Sequence, residues 1–211
     1  MGLPLTQPLC SIDEYLTEER AAEERHEYLD GQVYAMAGES GEHADICTNL
    51  VRVLSTQMLG GPRRVRFRNT KVYSGPAPEG HRTKGMFSYP DLVVLCGEPR
   101  YHDAHRDIVL NPGAIIEVLS PSTEAFDRGE KFLRYQRWNP TLTDYLLVWQ
   151  LAPIIEHYIR RADGSWSYYV FEGLDQRLTI PSLECSVNLA EVYDRIAFPV
   201  EMTEEGASHP S

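Results

Sequence analysis

Two carboxylates stand where strands seldom carry charge: Asp91 in Tyr-Pro-Asp-Leu-Val-Val-Leu and Glu117 in Ala-Ile-Ile-Glu-Val-Leu-Ser. Both runs have the Val, Ile and Leu content of strands covered on two faces. An ionised carboxylate buried there without a partner is costly, so each acid needs a cation, a basic side chain or exposure at a strand end. Two such acids brought together repel, and a hard divalent ion with oxygen ligands relieves the repulsion. Mg²⁺ or Mn²⁺ fits that donor set better than zinc. The plainer alternative is that Asp91 only turns the chain after Pro90 while Glu117 pairs with an arginine such as Arg134. Lys131, fourteen positions beyond Glu117, is either a solvated lysine or a charge that stabilises a transition state at phosphorus.

The elements that must position these residues follow from pattern. Ser11-Ile12-Asp13-Glu14 has the form of a capping box and opens a short acidic helix. His26 to Ala37 reads as a hairpin around Asp30-Gly31, with Glu27 on its first strand. Ile46, Leu50, Val53, Leu54 and Met58 recur at helical spacing between His43 and Leu59, and Gly60-Gly61-Pro62 ends that helix. Arg64 to Tyr73 reads as one strand with a basic face carrying Arg64, Arg66 and Arg68, with Lys71 beyond. These four could track a phosphate backbone or could be an exposed face matched to nearby acids. Gly75 to Gly85 reads as a loop, and Tyr89 to Cys96 and Ala114 to Leu119 as central strands. A helix over Thr123 to Trp138 is expected next, then strands at Asp144 to Trp149, Pro153 to Arg160, Ser165 to Phe171 and Leu183 to Val187. A short helix over Leu189 to Arg195 closes the series. His43 reads as a surface cap at the start of its helix in preference to a support for a metal ligand. His102 and His105 sit in a polar loop.

With 42% apolar and 24% charged side chains, the 211 residues suit one sizeable core. The expected division is a flexible N-terminus over residues 1–10, a single domain over 11–197 and a tail over 198–211. No apolar run approaches the ~20 residues of a membrane span, and no secretory signal opens the chain, so a cytoplasmic location is the default expectation. Cys10, Cys47, Cys96 and Cys185 lack the spacing of a zinc knuckle and read as free thiols. A net charge of -11 opposes binding to long polyanions, so any contact with nucleic acid has to rest on local basic surface and metal.

One set of strings is more specific: Tyr89-Pro90-Asp91, Ile116-Glu117-Val118-Leu119-Ser120-Pro121-Ser122-Thr123, and Asp127-Arg128-Gly129-Glu130-Lys131-Phe132 with Tyr135. Together with Glu27-Tyr28-Leu29-Asp30-Gly31, His43, Thr70-Lys71-Val72 and Tyr145-Leu146-Leu147-Val148, it resembles the Uma-type family of restriction-endonuclease-like proteins. That family lies in the PD-(D/E)XK nuclease superfamily, and the likeness runs from Ser11 to Tyr193. The resemblance implies an α/β fold: a mixed sheet in a restriction-endonuclease-like core, with flanking helices and additional C-terminal strands. It also implies Mg²⁺ or Mn²⁺ held by Asp91, Glu117 and Glu27 with the carbonyl of Val118, and DNA as substrate. A twofold homodimer is the corresponding assembly. The superfamily's Glu-x-Lys would place lysine at position 119, where Leu119 stands, so Lys131 becomes the migrated substitute. Two rival readings accompany the endonuclease: a nuclease fold kept as a binding or regulatory module, and a metal hydrolase of small phosphoesters.

Overall fold

The computed structural model describes residues 9–36, 38–77 and 81–199; the expected tail beyond 199 and part of the expected 75–85 loop lie outside them. In chain order, α1 (Ile12–Ala21) leads into the hairpin β1 (His26–Leu29) and β2 (Gln32–Ala35), then α2 (Gly41–Gln57). Strands β3 (Arg63–Phe67), β4 (Lys71–Ser74), β5 (Met86–Ser88), β6 (Leu92–Cys96), β7 (Ile108–Val109) and β8 (Ala114–Leu119) follow. Next, α3 (Glu124–Phe126), a π-helical turn (Asp127–Lys131) and α4 (Phe132–Trp138) run on as one helical rod. The chain continues through β9 (Asp144–Trp149), β10 (Ile154–Arg160), β11 (Trp166–Glu172), β12 (Arg177–Ile180), β13 (Cys185–Asn188) and α5 (Leu189–Val192).

A six-stranded mixed sheet, ordered β11-β10-β9-β8-β6-β3, forms the centre. Its β8–β9 pair is parallel and its β6–β8 pair antiparallel. Alternation along β8 sorts its side chains to two faces. Ile116 and Val118 join Ile46, Leu50 and Leu54 of α2 together with Leu178, Val187 and Leu189. Ile115 and Leu119 join Phe132 and Tyr135 of the helical rod with Val93 and Tyr145. Glu117, with the parity of Ile115 and Leu119, therefore faces the rod. A five-stranded sheet, β2-β1-β5-β4-β7, packs Tyr28, Tyr73 and Phe87 against Tyr15 and Leu16 of α1.

The capping box at Ser11 is formed in full: the Ser11 amide donates to Glu14 Oε2 at 2.8 Å and Ser11 Oγ accepts from the Glu14 amide at 3.3 Å. The hairpin turns at Asp30-Gly31, both at positive φ, as its sequence requires.

The expected strand from Arg64 to Tyr73 is two strands in two different sheets. The chain leaves β3 after Phe67, turns at Arg68 with φ 60°, and enters β4 at Lys71. The alternation of Val65 and Phe67 with Arg64, Arg66 and Arg68 belongs to β3 alone and ends at the corner, where Asn69 and Thr70 follow. The expected strand at Tyr89 begins only at Leu92, because Pro90 denies the ladder a donor. Short β5 and β7, and β12 with its Arg and Thr, carry too little pattern to be seen in advance.

Candidate active site

Asp91 and Glu117 meet because of register. In the antiparallel β6–β8 pair Leu92 faces Ile116, so one step further out Asp91 faces Glu117. The Asp91 amide donates to Glu117 Oε2 at 3.4 Å, and the Val118 amide donates to Asp91 Oδ2 at 2.7 Å. Both acids line a cavity of about 240 Å³ together with Glu27, Val118, Lys131, His43, Arg25 and Arg68.

Glu27 reaches the same cavity from β1, accepting the Tyr89 amide at 3.1 Å. Lys131 comes from the helical rod. Its Nζ lies 2.9 Å from Glu117 Oε1, 3.1 Å from Asp127 Oδ1 and 3.6 Å from Glu27 Oε1, and its side chain is 5% exposed. The π turn, an excess residue in the helix, turns both Asp127 and Lys131 inward. Arg134 does not pair with Glu117: it holds Asp30 at 2.7 Å and Glu130 at 2.6 Å.

Burial drives the Glu117 carboxyl well above the ordinary carboxylate range; Lys131 opposes this, while Asp127 and Asp91 add to it. Burial disfavours the charged Lys131 ammonium, but Asp127, Glu117 and Glu27 outweigh it and raise its pKa well above the ordinary value. The three acids around it therefore favour the charged form of Lys131, which suits it to stabilising negative charge.

His43, read from sequence as a surface cap, is buried in the cavity wall with Nε2 3.3 Å from Asp91 Oδ2 and Nδ1 3.5 Å from Glu39 Oε2. Burial works against its charged form, yet Asp91, Glu39 and the Val118 carbonyl prevail and set its pKa above the ordinary imidazole value. One turn along α2, Cys47 Sγ sits 3.7 Å from His43 Nδ1. Ligand atoms of His43, Cys47 and Asp91 all lie within 4.8 Å of one another. The i,i+4 spacing of Glu39, His43 and Cys47 was the available signal, and the apolar stripe of α2 drew attention away from it.

Two donor sets thus meet at Asp91. Burial, with Asp91 and Glu39 beside it, pushes the Cys47 thiol far up, so it enters the site as a neutral thiol. The oxygen set of Asp91, Glu117, Glu27 and the Val118 carbonyl instead suits a hard divalent ion. The buried excess of acid over base around Glu117 is the charge such an ion would neutralise.

The three arginines read as one basic face, and Lys71 read as lying beyond them, separate. Arg64 is exposed beside Glu98, at 3.5 Å, and Arg66 reaches the Tyr101 hydroxyl at 3.3 Å. Arg68 lines the cavity. Lys71 is buried, bound to Asp107 at 3.1 Å and stacked over the Tyr89 ring, so it offers no surface charge.

A mixed sheet between helices, with an acidic, lysine-bearing cavity at the end of its central strands, defines a nuclease-like protein. The chain belongs to the Uma2 family, described as "Putative restriction endonuclease", whose pattern matches residues 12–190. Two Synechocystis sp. PCC 6803 proteins are similar along most of their length. The uncharacterized protein slr1290 is 36% identical over 191 residues, covering 90% of this chain and 95% of its own. The uncharacterized protein sll1609 is 32% identical over 166 residues, covering 79% and 89%. The fold matches a crystal structure from Anabaena variabilis ATCC 29413, described as "a putative nuclease belonging to DUF820". Its TM-score is 0.67 at 17% identity, over 87% of this chain and 97% of that one.

Proposed function

We propose that this protein is a Mg²⁺- or Mn²⁺-dependent endonuclease that hydrolyses phosphodiester bonds of DNA. The observation that carries the reading is the single cavity shared by Asp91, Glu117, Glu27 and Lys131, whose Nζ lies 2.9 Å from Glu117 Oε1. Asp91, Glu117 and Glu27, with the Val118 carbonyl, would hold the cation. When bound, it supplies Lewis acidity and a lowered pKa for water. Lys131 adds a fixed positive charge in a low-dielectric wall, where it favours the extra negative charge of the pentacovalent transition state. His43 Nε2 and the Val118 N–H both meet Oδ2 of Asp91, and together they keep the carboxylate's aim.

The test is nicking of supercoiled plasmid against hydrolysis of a chromogenic phosphodiester, with Mg²⁺ and Mn²⁺, by wild type, Glu117→Gln and Lys131→Arg. Plasmid nicking that needs the cation and is lost in Glu117→Gln supports the reading. Hydrolysis of the small diester alone points to a phosphoesterase, and activity in neither assay to a binding module.

A further inference from the structure

Resting on the phosphodiesterase reading above, we propose that Arg25 and Arg68 form a seat for a phosphate group of the substrate, occupied in the free protein by Glu39. Both arginines line the cavity that holds Asp91 and Glu117. Its third strong cation, Lys131, is enclosed among three acids at 5% exposure, whereas the side chains of Arg25 and Arg68 are 32% and 40% exposed. They are the charges an incoming anion meets.

The corner between β3 and β4 aims them. Arg68 sits there at φ 60°, in the left-handed region that a long side chain rarely adopts and that glycine or asparagine fills more easily. Its amide donates to the Asp91 carbonyl at 3.4 Å, and its own carbonyl accepts Arg25 Nη1 at 2.9 Å. The Arg25 guanidinium also lies 5.6 Å over the Tyr89 ring, one residue before Pro90-Asp91. Backbone strain thus fixes the arginine pair at a set distance from the acids.

The pair is incompletely satisfied. Arg68 Nε is buried and has no hydrogen-bond partner among the described residues. Glu39 is shared three ways: Arg68 Nη2 contacts Oε2, Arg25 Nη2 lies 3.8 Å from Oε1, and His43 Nδ1 lies 3.5 Å from Oε2. One carboxylate spread over two guanidinium groups marks a place for a two-oxygen anion. A phosphodiester presents two charged non-bridging oxygens of the same kind and can take the carboxylate's place between the two guanidinium forks. Glu39 lies outside α2, one residue before its Ser40 cap, so it can swing aside without breaking the helix's own hydrogen bonds.

The experiment is fluorescence anisotropy of a short labelled DNA duplex in EDTA, where no cleavage intervenes, across a salt series. Circular dichroism checks the fold of each variant. Arg25→Gln and Arg68→Gln are each expected to weaken binding about tenfold and to lower the salt slope by about 0.9. Glu39→Gln is expected to tighten binding, because it removes the competing anion; a merely bracing Glu39 would give no gain. Unchanged affinity in both arginine variants, weaker binding in Glu39→Gln, or no duplex binding by wild type overturns the seat. Arginine-dependent binding without plasmid nicking in any metal keeps the seat and defeats the endonuclease reading; intact nicking with arginine-independent binding does the reverse.

Discussion

At the scale of single residues, Lys131 is held by charges that cannot do without it. Removing it leaves Glu117 and Asp127 buried with no cation, and breaking a buried pair from one side costs about 3–5 kcal/mol. Urea denaturation should show Lys131→Met destabilised by that order, with part of the loss recovered in Lys131→Met/Glu117→Gln. Equal stability of the single and double variants would separate the two side chains energetically. Asp107 makes a different test. Burial raises its carboxyl, but Arg20 and Lys71 outweigh burial and hold it down at about 2, against an ordinary 3.8. Because the folded value is the lower one, Asp107 stabilises the fold above pH ~4, and that contribution fades as pH falls towards about 2. Asp107→Asn should lower the melting temperature at neutral pH and narrow its gap to wild type between pH 4 and 2. A gap that stays constant with pH would contradict the ion pairing.

At the scale of elements, α1 shows how local chemistry serves the site from a distance. Its residue Glu19 accepts the Tyr89 hydroxyl at 2.6 Å and the His26 amide at 3.1 Å, so the helix braces both Pro90-Asp91 and the strand bearing Glu27. Ser11→Ala, which removes the cap, should cost about 1 kcal/mol of stability in thermal or urea melts while metal affinity stays within twofold. Such local signals were the legible part of the sequence: the capping box, the Asp-Gly hairpin and the apolar spacing of α2 each depend on neighbours in the chain. The continuous Val-, Ile- and Leu-rich runs around β6 and β8 also exposed Asp91 and Glu117 as misfits. What stayed hidden depends on partners distant in sequence. The alternation of Val65 and Phe67 with arginines lapses at Asn69-Thr70-Lys71, but that Val72 and Tyr73 enter a second sheet is set by strands distant in the chain. Nothing in Asp127-Arg128-Gly129-Glu130-Lys131 announces a π turn, and nothing near His43 announces that Asp91 comes to meet it.

At the scale of the whole molecule, a net charge of -11 sets the long-range field against polyanions. On the proposed endonuclease reading, approach to DNA would depend on the cavity's own cations and on a divalent ion that offsets its acids. The described residues include no helix long and apolar enough to cross a membrane. The central claim is that Asp91 and Glu117 jointly hold that ion, and calorimetric titration of Mn²⁺ into wild type, Asp91→Asn and Glu117→Gln measures it without recourse to activity. Saturable binding by wild type, a melting temperature that rises with Mn²⁺, and at least tenfold weaker binding in either variant are expected. Equal Mn²⁺ affinity in all three proteins, or no binding by wild type, would contradict the central claim.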